Sequence, residues 1–176
     1  MRETTMKEQL LRKLEERTAC IGVVGVGYVG LPLALEFART GFRVIGYDVS
    51  DRVVNGLMSG QSHIQDVPSE DLAELVKSGK FEATSDESRL REMDAILIAV
   101  PTPLAKTRDP DMTYIIAAAD AIARNAHPGL LIVLESTTYP GTTLGETGTV
   151  GLYPARGTAC IQTHPGRSLS IRKCLA

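Results

Sequence analysis

Residues 25–30 read Gly-Val-Gly-Tyr-Val-Gly, three glycines spaced so that a chain can leave a strand through a tight turn and enter a helix at once. The flanking residues restrict the fold further. Cys20 to Val24 is a short apolar run rich in branched side chains, which suits a strand buried on both faces. Val29 to Thr40 has helical spacing, Pro32 falls in the first turn where its missing N–H has no intrahelical partner, and Gly41 supplies a stop. Phe42 to Tyr47 then predicts a second strand, ending at Asp48. Two parallel strands joined by a crossover helix cannot stand alone and call for a layered α/β sheet.

The alternation continues. Asp51 to Ser59 carries Val53, Val54, Leu57 and Met58 at helical spacing, Ser69 to Lys77 predicts another helical piece, and Phe81 to Thr84 a short strand. Ala95 to Val100 is a strongly apolar strand closed by Pro101, Asp111 is expected to cap a helix through about Ala126, and Leu130 to Leu134 is a further strand. The expected fold is a Rossmann-type doubly wound parallel sheet with helices on both faces, incomplete at its C-terminal end. Before it, residues 1–18 form a lead-in segment in which Thr5 and Glu8 have capping-box spacing and Leu10, Leu11 and Leu14 share a helical face. The dinucleotide-binding type of domain is expected over 19–143. Residues 144–176 show no sustained period, and no structure is expected for them.

Composition narrows the partners. A chain of 176 residues with 43% apolar residues has room for one doubly wound domain, and a formal charge of -2 provides no broad basic field for nucleic acid or anionic membrane. No apolar run reaches the roughly 18 residues needed to cross a bilayer, and the charged N-terminus lacks the apolar stretch of a signal peptide. Cysteines at 20, 160 and 174 make no C-x-x-C pair and leave an odd thiol, so reduced thiols in the cytoplasm are expected. Neither H-E-x-x-H nor G-x-x-x-x-G-K-[ST] occurs.

The glycine motif is informative because of its setting between strand and helix, with an acid about 20 residues on. Gly25 permits the turn, Gly27 lets the backbone approach a pyrophosphate, and Gly30 lets helix and strand pack closely. Tyr28 and Val29 lie between them, and the first-turn N–H groups of the helix would face phosphate oxygens. Asp48 is then the acceptor for adenosine ribose hydroxyls. A carboxylate about 4 Å from a 2'-phosphate costs roughly 1 to 4 kcal/mol, which predicts NAD rather than NADP. Arg52 stands against this, since a nearby arginine can serve a 2'-phosphate; the alternative is a solvated charge on the helix face. His63 reads as a surface histidine without an acidic partner in register.

Four stretches together resemble the UDP-glucose/GDP-mannose dehydrogenase family: IGVVGVGYVGLPLALEFA at 21–38, GQSHIQDVP at 60–68, AVPTPL at 99–104 with RDPD at 108–111, and LESTTYPGTT at 134–143. The VPTPL form with RDPD is more similar to the branch acting on UDP-N-acetylhexosamines. The resemblance implies that the loop at Pro101 and Thr102 lies along the cofactor, with Thr102 a hydrogen-bond donor to it. It also implies that Glu135 and Ser136 border the cofactor and that Thr137 holds a water or the substrate hydroxyl near the nicotinamide.

The same resemblance implies oxidation of a sugar C6 alcohol to a carboxylate with two NAD and a covalent intermediate on a catalytic cysteine. The cysteine, lysine and asparagine segments that serve this in the family, and the central helix through which it forms homodimers, have no counterpart here. Neither Cys160 nor Cys174 sits in a comparable setting. The tail after Thr143 departs from the family pattern, and a shift of reading frame or a divergent end would each account for it. The cofactor-binding part of such a dehydrogenase, without its catalytic-cysteine half, is therefore expected; the alternative is a stand-alone NAD-binding module without chemistry. As written, the chain is expected to bind NAD and to turn over no UDP-sugar.

Overall fold

The computed structural model describes residues 5–103 and 111–136, together with the backbone of 159–162 and 170–173. Its strands are β1 (Cys20–Val24), β2 (Arg43–Tyr47), β3 (Phe81–Thr84), β4 (Ala95–Ile98), β5 (Leu131–Leu134), β6 (Ala159–Gln162) and β7 (Ser170–Lys173). The α-helices are α1 (Met6–Glu15), α2 (Gly30–Arg39), α3 (Asp51–Met58), α4 (Ser69–Lys77) and α5 (Thr113–Asn125), with a 3-10 turn over Glu87–Glu92. The strands form one sheet in the order β3-β2-β1-β4-β5-β6-β7, parallel from β3 to β6. The chain winds outward from β1 to β3, returns to β4 on the other side of β1, and winds outward again. The order reverses between β1 and β4, and ligands of open α/β sheets bind in the crevice at such a switch point.

Alternation along the strands divides the core into two layers. Ile21, Val23, Val44, Phe81, Ala95 and Leu97 pack against Leu31, Leu35, Val54, Leu57 and Leu72 of α2, α3 and α4. Cys20, Val24, Ile45, Ile96, Ile98, Ile132 and Leu134 turn the other way, onto Leu90 of the 3-10 turn, Met93 just after it, and Ile115 and Ile122 of α5. All five residues of β1 are buried, as a central strand requires. Gly22 is part of this packing, because a Cβ there would stand 2.0 Å from the Met93 sulfur.

Polar contacts fix the edges. The Thr5–Glu8 capping box forms as expected. Lys13 of α1 bonds Asp94 at 2.6 Å, and the other oxygen of Asp94 accepts the Cys20 N–H at 2.9 Å, which anchors α1 at the amino edge of the sheet. On the outer layer, buried Asn125 donates to Glu87 and to the Ala121 carbonyl and accepts from Arg91. Arg124 holds the same Glu87 through two bonds of 2.9 and 2.8 Å. Hydrogen bonding to Arg124 in particular keeps the Glu87 carboxyl below its ordinary range.

Most expected elements lie within two residues of their observed bounds. β4 ends at Ile98 rather than Val100, so Ala99 and Val100 belong to the loop above the sheet. Asp111 lies one residue before the Met112 cap of α5, and its carboxylate accepts the Thr113 N–H at 3.0 Å and the Thr113 hydroxyl at 2.6 Å. The 3-10 turn was not expected from the pattern. Strands β6 and β7 fall within residues 144–176, for which no element is expected from the sequence pattern. β6 pairs parallel with β5 and β7 antiparallel with β6, four residues each. The outer edge of β5 offers a row of backbone donors and acceptors that a short extended segment can satisfy without a long apolar period.

Candidate functional site

The carboxyl ends of β1, β2 and β4 converge on the glycine turn. Gly25, with a φ of 88°, adopts the left-handed conformation that favours glycine, and its N–H donates to the Tyr47 carbonyl at 2.8 Å. A Cβ on Gly25 would meet the Ala99 carbonyl oxygen at 2.9 Å and the Val100 Cα at 3.2 Å, so the turn lies directly against the loop leaving β4. At Gly30 a Cβ would stand 1.8 Å from the Gly25 carbonyl oxygen and 3.2 Å from a Val23 methyl, so only glycine lets α2 start this close to β1. Gly27 differs, since nothing lies within 4 Å of the position its Cβ would take. No side chain caps α2; the Leu31 and Leu33 N–H groups donate to the Gly27 and Val29 carbonyls at 3.0 and 3.3 Å, and Tyr28 and Val29 are exposed beside the turn.

Asp48 closes the turn from the β2 side. One carboxylate oxygen accepts the Val26 N–H at 3.2 Å and the other accepts the Ser50 N–H at 3.0 Å. Each oxygen keeps further lone-pair capacity, because an ionised carboxylate offers about four acceptor sites. The side chain is half-buried, which holds the group in place while leaving it reachable. The two backbone bonds were not anticipated. Asp-x-Ser ahead of a helix is a local signal for the Ser50 contact, since aspartate side chains commonly accept the N–H two residues on. The Val26 contact arises only when β1 and β2 are brought side by side.

The loops after β4 and β5 complete the edge. Pro101 is exposed and Thr102 half-buried, and the Pro103 carbonyl accepts the Asp111 N–H at 2.8 Å. The Glu135 N–H donates to the Ile98 carbonyl at 3.0 Å, and its side chain is exposed. The Ser136 hydroxyl donates to the Val100 carbonyl at 2.8 Å, so it ties the two loops together instead of standing open toward the crevice. Arg52, exposed in the first turn of α3, makes no ion pair or side-chain hydrogen bond among the described residues. Thr137 lies outside the described residues. His63 is exposed, in a loop turned inward by buried Ile64 and Val67. Among the described residues no cluster of His, Cys, Asp and Glu is arranged to hold a metal ion, and no helix is long and apolar enough to cross a membrane.

Residues 19–150 match the model of the UDP-glucose/GDP-mannose dehydrogenase family, NAD binding domain. The chain belongs to this family. The match begins after α1 and extends seven residues past Thr143. Among curated relatives, the UDP-N-acetyl-D-mannosamine dehydrogenase of Escherichia coli K12 is 43% identical over 128 residues, covering 71% of this chain and 29% of that protein. The UDP-N-acetyl-D-glucosamine 6-dehydrogenase of Pseudomonas aeruginosa is 34% identical over 123 residues, covering 70% and 28%. In three dimensions the chain is similar to the NDP-N-acetyl-D-galactosaminuronic acid dehydrogenase of Methanosarcina mazei Go1. That likeness has a TM-score of 0.70 and 35% identity, covering 87% of this chain and 36% of that one. The dehydrogenase-family chain thus spans a little over a quarter of the length of the curated relatives it matches, and the part it spans is their NAD-binding domain.

Proposed function

We propose that this domain holds NAD across the β1–β4 switch point for an NAD-dependent oxidation of a UDP-sugar at C6, with a UDP-N-acetylhexosamine as the substrate. The observation that carries the reading is the pairing of Asp48 with the glycine turn, in a domain of an NAD-binding family. In this assignment the open backbone at Gly27 and the uncapped first turn of α2 receive the pyrophosphate, with Gly25, Tyr28, Val29 and Gly30 shaping the loop around it. Asp48 accepts from the adenosine ribose hydroxyls with the lone pairs that Val26 and Ser50 leave free. Pro101, Thr102 and Glu135 border the cofactor, and Ser136 positions the loops by its bond to Val100. Bound NAD supplies the hydride acceptor, and Thr137 serves the sugar side of the site. The sugar assignment draws support from VPTPL and RDPD and from relatives named for N-acetylated sugars. Such a protein works in the cytoplasm, where UDP-sugars and NAD are both available.

Calorimetric titration tests the cofactor assignment. NAD is expected to bind more tightly than NADP, and Asp48→Ala to weaken NAD by about tenfold or more, the scale of a lost hydrogen bond to a charged group. NADP binding as tightly as NAD to the unaltered chain would sink it. For the sugar, a complete dehydrogenase built on this domain is expected to show a higher kcat/KM with UDP-N-acetylglucosamine than with UDP-glucose, and the reverse order would overturn that part.

A further inference from the structure

A second carboxylate stands near Asp48. Asp51 opens α3 three residues on, and its Oδ1 accepts a hydrogen bond from the Ser85 hydroxyl at 2.5 Å. Ser85 directly follows β3, whose last residue, Thr84, accepts the Asp48 N–H at 3.1 Å. The Ser85 bond therefore keeps the Asp51 carboxylate at the carboxyl edge of the sheet, on the side of Asp48. Opposing the two acids are the exposed Arg52 guanidinium and the positive end of α3, where the Ser50 hydroxyl accepts the Val53 N–H at 3.4 Å.

A 2'-phosphate on the adenosine ribose would meet two attractive features, Arg52 and the helix end, and two repulsive ones. We propose that Asp51, positioned by Ser85, is a second determinant of NAD over NADP, acting by charge on the 2'-phosphate and making no contact with the NAD ribose. The inference rests on the assignment of Asp48 to that ribose. Three residues of chain keep Asp51 within about 10 Å of Asp48. At that separation, repulsion between a carboxylate and a phosphate dianion across a hydrated surface amounts to about three- to tenfold in affinity, and it weakens once the Debye length falls below that distance. The uncharged 2'-hydroxyl of NAD feels no such repulsion. This also gives Arg52 a consistent place: a cation beside a phosphate subsite that two carboxylates close.

The experiment is a titration of NAD and NADP into the unaltered 176-residue chain and into Asp48→Ala, Asp51→Asn, Ser85→Ala and Ser85→Thr, each at low and high ionic strength. Asp51→Asn is expected to tighten NADP by about three- to tenfold at low salt while NAD changes by less than about twofold, with the gain shrinking at high salt. Ser85→Ala should show part of the same gain and Ser85→Thr, which keeps the hydroxyl, none of it. Circular dichroism of each variant separates these shifts from misfolding. If NAD binds in an Asp48-dependent way and NADP affinity does not respond to Asp51→Asn, this inference fails alone. If NAD binding does not depend on Asp48, the ribose assignment fails and takes this inference with it.

Discussion

A methyl group added to Gly30 would stand 1.8 Å from a backbone carbonyl oxygen, and backbone cannot step aside as a flexible side chain can. The same methyl added to Gly27 would meet nothing within 4 Å. The two positions therefore separate folding from binding. Gly30→Ala is expected to lower stability by about 1 to 3 kcal/mol and to weaken NAD, because the turn and α2 must move apart. Gly27→Ala should leave the melting temperature nearly unchanged and still cost about tenfold or more in NAD affinity, since the added methyl occupies the space assigned to the pyrophosphate. Thermal melts beside NAD titrations decide it, and a Gly27→Ala chain that binds NAD normally would remove the pyrophosphate from this position. The turn at Gly25, the close approach at Gly30 and the place of Asp48 after β2 were legible in the sequence because each depends on local spacing. Ser136 was not: a serine in a turn reads the same whether its hydroxyl faces a ligand or, as here, the Val100 carbonyl.

Between elements, charge holds the amino edge of the outer layer. Arg89 in the 3-10 turn bonds Glu82 of β3 and, at 2.7 Å, Glu92, which also meets Arg43 of β2 at 3.1 Å. The Arg89 hydrogen bond is the main cause that draws the Glu92 carboxyl from its ordinary 4.5 down to about 2, and Arg89 likewise lowers Glu82. Both groups are more acidic folded than unfolded, so unfolding takes up protons in acid. The stability they contribute is present above about pH 4.5 and drains away as pH falls toward 2. Because both glutamates are more than a third exposed, solvent screening limits the contribution to about 1 kcal/mol. Arg89→Met should therefore lose about that much in urea unfolding at pH 7 and show a shallower decline between pH 5 and 2. An unchanged acid limb in the variant would mean that other carboxylates set it. At this scale the helices and inner strands were readable from apolar period. The 3-10 turn was not, because its three-residue repeat over ESRLRE presents only Leu90 to the core. β6 and β7 were not readable either, because their pairing depends on the β5 edge more than on a pattern of their own.

For the whole molecule, the proposed oxidation needs a thiolate beside the nicotinamide, as the family resemblance implies. Cys20, the free cysteine among the described side chains, begins β1 at the end opposite the glycine turn, roughly 16 Å away by strand rise. Burial pushes its thiol up to about 11, which keeps it protonated near neutrality. The 176-residue polypeptide is therefore expected to bind NAD and to form no NADH with UDP-N-acetylglucosamine or UDP-glucose. Near-ultraviolet absorbance on purified chain of confirmed mass measures this, and turnover above the enzyme-free rate would contradict it. The doubly wound order was legible because buried runs alternate with helical ones; the proposed sugar was not, because the matched span is the cofactor domain of longer relatives.

The two flanks of the core sheet are unlike. On β3, the outward Ala83 N–H is already taken by the Met58 sulfur at 3.1 Å, so a thioether of α3 occupies a backbone donor on that flank. β5 instead hands its outer backbone groups to another strand. Growth of the sheet beyond its five central strands thus runs outward from β5 through β6 and β7, on the flank away from the strand that leads into Asp48.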